Sequence, residues 1–211
     1  MEYIDEKIAL LEREVRRQKE EEARQLEEAE KEIGVDKENQ AELTLEEVLE
    51  AVRQETVVFP NQEKFDFTLR TVLSEQISIP YIKDIYTGVE ENDEAAIFMD
   101  HDRGISQMIT LTDKPIMNMS IGKWKKQLEE GMRKMNSYAE VTGEKVLENL
   151  DYLLYRTPTG KGWVHNVAFR IRVGSGRVAG NYNCYEKDKK TYGIMLEALV
   201  VRLNELLSDP A

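Results

Sequence analysis

An α+β fold, an antiparallel sheet of five to seven strands packed with helices and preceded by a long charged N-terminal helix, follows from three features of this 211-residue chain. Charge is concentrated at the start: the first 55 residues carry 9 Lys/Arg against 19 Asp/Glu, and the remaining 156 carry 20 against 22. The apolar period then alternates between two, from Phe65 and again from Tyr152, and three to four, from Ile121 and again from Thr191. Short, turn-rich connectors such as 157–162 and 174–176 join the last alternating stretches, so these pair antiparallel and in sequence. Three regions result: a charged helical arm and linker over 1–40, a short capped helix over 41–55, and an α+β domain over 56–211.

The arm reads as helix over 4–32. Ile4, Ile8, Leu11 and Val15 step by four, three and four, the spacing of a coiled-coil seam, but Gln18, Glu22 and Gln25 occupy the next seam positions. Two apolar heptads suit docking on an apolar surface, or self-association into a homo-oligomer, better than a long coiled coil. Further on, Glu20 and Glu21 precede Arg24, and Glu27 precedes Lys31, at spacings that place opposite charges side by side on a solvated helix. Gly34 ends the helix and 36–40 is a polar linker.

Thr44 and Glu47 form a capping box, with Leu43 and Val48 as its hydrophobic staple, so a second helix starts at Thr44. Its apolar face, Leu45, Val48, Leu49 and Val52, must be buried, by default on its own chain.

From Phe65, the alternation Phe65, Phe67, Leu69, Thr71 and Leu73 marks one side of a strand turned to a core. Residues 77–79 extend it until Pro80 removes a ladder donor. Segments 95–99 and 105–111 flank the polar turn 100–104 as a hairpin. A helix capped at Ser120 then carries Ile121, Trp124, Leu128, Met132 and Met135, with Gly131 near that stripe, where it would permit close backbone packing. Strands over 152–156, 163–173 and 177–185 follow. The closing helix, 191–207, is the strongest amphipathic segment, with Met195, Leu196, Leu199, Val200, Leu203 and Leu206.

Composition excludes several classes. The longest apolar runs fall far short of the ~20 residues that span a bilayer. No basic stretch followed by an apolar one opens the chain, and a cytoplasmic location is the expectation. A lone Cys184 rules out an internal disulfide and any multi-thiolate metal site. A net charge of -12 argues against DNA or RNA as ligand, because neutralising phosphates takes clustered Lys and Arg.

Chemical candidates are few. His101 between Asp100 and Asp102 offers donors to a divalent ion, but in a hairpin turn the solvated reading is favoured and no metal is expected. His165, Asn166 and Cys184 contain the types of a thiol nucleophile, base and orienter. Their spacing matches no signature, and His165 shares a strand face with Trp163, Val167, Phe169 and Ile171, which makes it a core or near-core residue. Gly174, Gly176 and Gly180 join two strands instead of leading into a helix, and Gly160-Lys161 lacks the rest of a phosphate loop, so no nucleotide cofactor is expected. Met108, Met117, Met119, Met132, Met135 and Met195 suggest an adaptable apolar surface, though core packing explains most of them. Arg170 and Arg172 alternate with the apolar side of their strand, which points to an opposite face that is partly open and basic, able to receive an acidic arm or an acidic partner.

Taken in order, the extended segment ending in Ile79-Pro80, the strand Ile-Ser-Gln-Met-Ile-Thr-Leu at 105–111, the Trp124 helix, the hairpin ending in Val-Ala-Gly-Asn-Tyr-Asn-Cys at 178–184 and the terminal helix resemble the Mog1/PsbP-like superfamily, which includes DcrB and EagR-type bacterial proteins. The resemblance covers roughly 56–208 and is one of pattern, so no site residue transfers. It implies a binding, assembly or chaperone module. The expected function is therefore a non-catalytic adaptor or chaperone-like protein holding a protein partner on its α+β domain, through Ile4, Ile8, Leu11 and Val15 of the arm and Arg170 and Arg172 of the sheet. The alternative is a structural, prophage-type component that oligomerises through the arm, and an enzyme is the least favoured class.

Overall fold

The computed structural model describes residues 42–74, 77–113, 119–174 and 177–208. The expected arm helix with its stripe of Ile4, Ile8, Leu11 and Val15, and also Met117, lie outside the described residues. Among the described residues, ten strands and three α-helices follow one another: α1 (Leu45–Arg53), β1 (Thr56–Val58), β2 (Lys64–Val72), β3 (Ile77–Ile82), β4 (Gly88–Glu91), β5 (Ala95–Asp100), β6 (Ile105–Leu111), α2 (Ile121–Lys134), β7 (Glu140–Val146), β8 (Leu150–Thr159), β9 (Gly162–Ile171), β10 (Val178–Tyr185) and α3 (Ile194–Ser208). The strands form a three-stranded sheet, β1-β2-β3, and a seven-stranded sheet, β4-β5-β6-β10-β9-β8-β7. All pairings are antiparallel, which makes the fold α+β.

The capping box is present at the start of α1. The Glu47 amide donates to Thr44 Oγ1 at 3.3 Å, and the Thr44 amide donates to Glu47 Oε2 at 2.8 Å. Val48 and Val52 then bury the apolar face of α1 in the same core as Leu199, Val200 and Leu203 of α3. Helix α3 packs against α1, β3 and β9. Its buried residues, Met195, Leu196, Ala198, Leu199, Val200 and Leu203, cover about 200° of its circumference at 100° per residue. Its polar ends are also tied in: Tyr152 Oη donates to Glu197 Oε1 at 2.7 Å, and Asn149 Nδ2 donates to the Asn204 carbonyl at 3.1 Å near the last turn. A short 3-10 turn, Glu186–Asp188, and a π turn, Lys189–Gly193, lead into α3, which begins three residues later than its sequence pattern suggests.

Two expectations about the first strand change. The apolar run from Phe65 to Ile79 is two strands, not one, and the chain reverses after Val72 with Leu73 and Ser74 at left-handed φ values of 55° and 53°. Pro80 sits inside β3, which pairs with β2 alone, so its missing donor costs no ladder bond on the outer edge. Nor does β2 keep one side inward. Phe67 and its partner Ile82 face the core at one end, whereas Val72, Ile77 and Ile79 lie inside at the other, with half-buried Arg70 opposite Ile79, and Leu69 is left 54% exposed. Narrow sheets twist strongly, and over nine residues that twist exchanges the two sides. The Arg70 guanidinium lies 4.9 Å from the Phe98 ring and 2.8 Å from Glu91.

The seven-stranded sheet has an inner face, packed on α1, α3 and the smaller sheet, and an outer face. On the inner face stand Ile105, Gln107, Ile109, Val167, Phe169 and Tyr182, all buried. Gly180 belongs to this face because a Cβ there would lie 2.3 Å from Phe169 Cζ. The Phe169 ring occupies that space and meets Tyr182 edge-on at 5.1 Å.

Candidate binding face

Register assigns the outer face residue by residue. One row across the sheet runs Ile97, Met108, Asn181, Ala168, Leu153 and Glu144, and a second runs Met99, Ser106, Asn183, Asn166, Tyr155 and Val141. Burial divides both rows at β10. On the β8 and β9 side, Leu153, Tyr155, Ala168 and Asn166 are buried, whereas Ile97, Met99, Ser106, Met108, Asn181 and Asn183 on the other side are half-buried. The cause is α2, which rests on β7 and β8 and covers one half of the face only.

A row of amides marks the boundary between the halves. Tyr155 Oη donates to Asn181 Oδ1 at 3.3 Å, Asn181 Nδ2 donates to Asn166 Oδ1 at 3.0 Å, and Asn166 Nδ2 donates to the Val164 carbonyl at 3.0 Å. Burial raises the Tyr155 phenol to about 12. The network is satisfied and fixes Asn181 beside the half-open apolar positions Met108 and Ile97.

Arg170 and Arg172 do not form the accessible basic face that the sequence suggests. Arg170 is 1% exposed: Nε and one terminal nitrogen donate to Asp151 Oδ2 at 3.2 and 2.8 Å, the same terminal nitrogen donates to the Met119 carbonyl, and the guanidinium lies 4.9 Å from the Trp124 ring. Alternation correctly turns it away from the inner core, but α2 then buries it. Arg172 is half-buried, with Nε 3.0 Å from Asp151 Oδ1 and a terminal nitrogen donating to the Leu147 and Glu148 carbonyls. Both arginines are structural anchors, one for the start of α2 and one for the turn before β8.

Basic charge on this face comes instead from α2, which carries Lys123, Lys125, Lys126, Arg133 and Lys134 against Glu129 and Glu130. Lys125 reaches Glu144 of β7 at 3.9 Å, so that flank of the helix points to the sheet edge. At 100° per residue, Lys123 and Lys134 lie on the opposite, exposed flank of the helix. Gly131 brings no close packing, because a Cβ there meets nothing within 4 Å.

The methionines divide accordingly. Met108 is on the half-open face, Met119 and Met132 are half-buried with α2, Met135 is 70% exposed at its end, and Met195 is core. Sequence reasoning missed Met99 and Ile97 as surface positions; in the structure they alternate with buried Ala96 and Phe98 along β5.

The remaining candidates have local roles. Asp100 is buried, and its carboxylate accepts the amides of Asp102 and Arg103 at 3.0 and 3.2 Å and pairs with Arg103 at 2.8 Å, which commits it to the turn. Gly104 closes that turn at φ 66°, against the Tyr185 ring. His101 is exposed. Cys184 and His165 are direct cross-strand partners, both buried. Burial pushes the Cys184 thiol far up, with Asp188 and Glu186 adding to the effect. His165 Nδ1 lies 3.6 Å from Glu186 Oε2. Burial raises the Glu186 carboxyl, but His165 and Lys189 close by outweigh it and hold the group below its usual range. Gly174 stands, as expected, in the connection between β9 and β10. Among the described residues, no group of three His, Cys, Asp or Glu side chains is placed to hold a metal ion, and no helix is long and apolar enough to cross a membrane.

No protein-family model matches the chain. No curated protein matches it either. Among solved structures it is similar to cyanobacterial PsbP (CyanoP) from Synechocystis sp. PCC 6803, with a TM-score of 0.47 and 14% identity over 64% of this chain and 89% of that one.

Proposed function

We propose that the chain is a non-catalytic, cytoplasmic adaptor or chaperone-like protein that holds an acidic, amphipathic helix of a protein partner on the half-open outer face. The observation that carries this reading is the half-buried set Ile97, Met99, Met108 and Asn181 lying beside a helix with a basic flank. Helix α2 already seats an apolar stripe on the other half of the same face, and β10, β6 and β5 add about 10 Å of width, the diameter of one more helix. Two thioethers, Met99 and Met108, adapt to apolar side chains of different shape. Lys123 and Lys134 favour a partner whose facing flank is acidic. Cys184, the one thiol of the chain, is buried, which argues against a thiol nucleophile.

Random peptides selected on the immobilised full-length chain test this reading. Selected sequences are expected to carry apolar residues at helical spacing with Asp or Glu alongside, and Met108→Asp lowers their binding at least ~10-fold. Val146→Asp, on the far edge strand, leaves it unchanged. Peptides that bind Met108→Asp as tightly as the parent chain contradict the proposal.

A further inference from the structure

The chain itself supplies a segment with the chemistry that the half-open face requires. We infer that the N-terminal arm docks back onto its own domain, with Ile4, Ile8, Leu11 and Val15 over Ile97, Met99 and Met108 and with acidic arm residues beside the basic flank of α2. The arm lies outside the described residues, and three observations on either side of that gap select it as occupant.

The first is pattern. Ile4, Ile8, Leu11 and Val15 fall within one narrow stripe at 100° per residue, and Asp5 and Glu12 share one flank of it. As a helix, 4–15 is about 18 Å long and β6 is about 23 Å, so the stripe fits along the strands. The second is charge. Residues 1–41 hold 14 Asp/Glu against 8 Lys/Arg, whereas α2 holds five cations against two anions. Its cations Lys123, Lys126, Arg133 and Lys134 are exposed. The third is reach. The described chain begins at Glu42, whose carboxylate lies 2.6 Å from Lys190 Nζ, close after the end of β10. The 26 residues between Val15 and Glu42 span about 39 Å even if wholly helical, enough to carry the stripe from that end of the sheet onto the outer face.

This inference rests on the half-open face being a binding face, and it adds that the arm is the ligand held there when no partner is present. A partner helix must then displace the arm, which makes the arm a built-in competitor.

Zero-length carbodiimide cross-linking of the full-length chain, without any partner, reads the contact directly. A Lys190 to Glu42 link, whose groups are 2.6 Å apart, serves as the internal control. Expected are additional links from Lys123, Lys126 or Lys134 to carboxylates in 1–32, formed within single chains when 14N-labelled and 15N-labelled protein are mixed. Leu11→Asp should lower those links several-fold while the control link is unchanged. Three results overturn the inference: the control link without arm links, arm links joining light and heavy chains, which assigns the face to a second copy, or arm links indifferent to Leu11→Asp. Because no partner enters the experiment, failure of peptide selection leaves its outcome untouched, and an arm that does not dock leaves the face open to a partner.

Discussion

Arg170 of β9 and Trp124 of α2 stack at 4.9 Å, while the same guanidinium donates twice to buried Asp151 on the neighbouring strand. This contact fixes the start of α2 on the sheet and so determines which half of the outer face is covered. Removing one partner of a buried ion pair strands the other charge, at a cost of about 3 kcal/mol or more. Arg170→Met is therefore expected to destabilise by that order, and the double variant Arg170→Met with Asp151→Leu to recover part of the loss. Urea unfolding of the three chains decides it. A single variant within about 1 kcal/mol of the parent would mean that Arg172 alone satisfies Asp151.

Two glycines should respond in opposite directions to the same change. At Gly180 an added methyl meets Phe169 Cζ at 2.3 Å and the Met108 carbonyl oxygen at 2.7 Å, so Gly180→Ala is expected to cost about 1–3 kcal/mol. At Gly131, in the interior of α2, nothing lies within 4 Å, and Gly131→Ala should gain about 0.5–1 kcal/mol from backbone entropy and helix propensity. Thermal unfolding of both variants gives the signs. A loss at Gly131 would point to close packing there after all.

Cys184 has no accessible surface and a thiol pushed far up by burial. In the folded chain at about pH 8 it should not react with iodoacetamide over hours, whereas the urea-unfolded chain reacts within minutes. Mass spectrometry of the alkylated protein reads this, and rapid native modification would refute the structural assignment of the thiol.

The link between α1 and α3 is pH-dependent. Arg53 donates to both carboxylate oxygens of Glu205, at 3.2 and 2.5 Å, and this hydrogen bonding, with help from Arg202, holds the Glu205 carboxyl below its ordinary 4.5 despite an opposing push from partial burial. A lowered folded-state value means that the unfolded chain binds the proton more readily. The stabilisation is complete above about pH 4.5 and disappears as pH falls through the folded-state value. Glu205→Gln should thus be less stable than the parent by up to about 1 kcal/mol at neutral pH, since the pair is partly exposed, and the two should converge in acid. A difference unchanged between neutral pH and about pH 3 would show that the charge of Glu205 contributes nothing.

Much of this architecture is legible in the sequence where local chemistry decides it. Thr44 with Glu47, and Ser120 before Ile121, mark helix starts because side-chain oxygens satisfy the first amides there. The hairpin of β9 and β10 follows from alternation around a glycine-containing connection. Strand β7 escapes because Glu-Val-Thr-Gly-Glu-Lys-Val is polar on both sides, as suits an edge strand, and its identity comes from pairing with β8. The reversal after Val72 escapes because the apolar alternation continues across it.

The candidate face was only half legible. Alternation places Arg170 and Arg172 opposite the inner core, but their burial depends on where α2 lies, and no local pattern encodes that position. Ile97 and Met99 were hidden for the opposite reason: they belong to an apolar run, Ala-Ala-Ile-Phe-Met, that reads as core on both sides until the pairing of β5 with β6 separates the two faces.

Photo-cross-linking from defined positions in living cells of the native host tests the central claim most directly. With benzoyl-phenylalanine replacing Met108 or Thr110 on the outer face, illumination should join the full-length chain to a helical segment of a partner, or to its own arm, at sites mapped by mass spectrometry. The same probe at Leu69, on the smaller sheet, or at Val146, on the far edge strand β7, should not. Adducts at Leu69 or Val146 with none at Met108 and Thr110 would contradict the assignment of the half-open face as the binding surface.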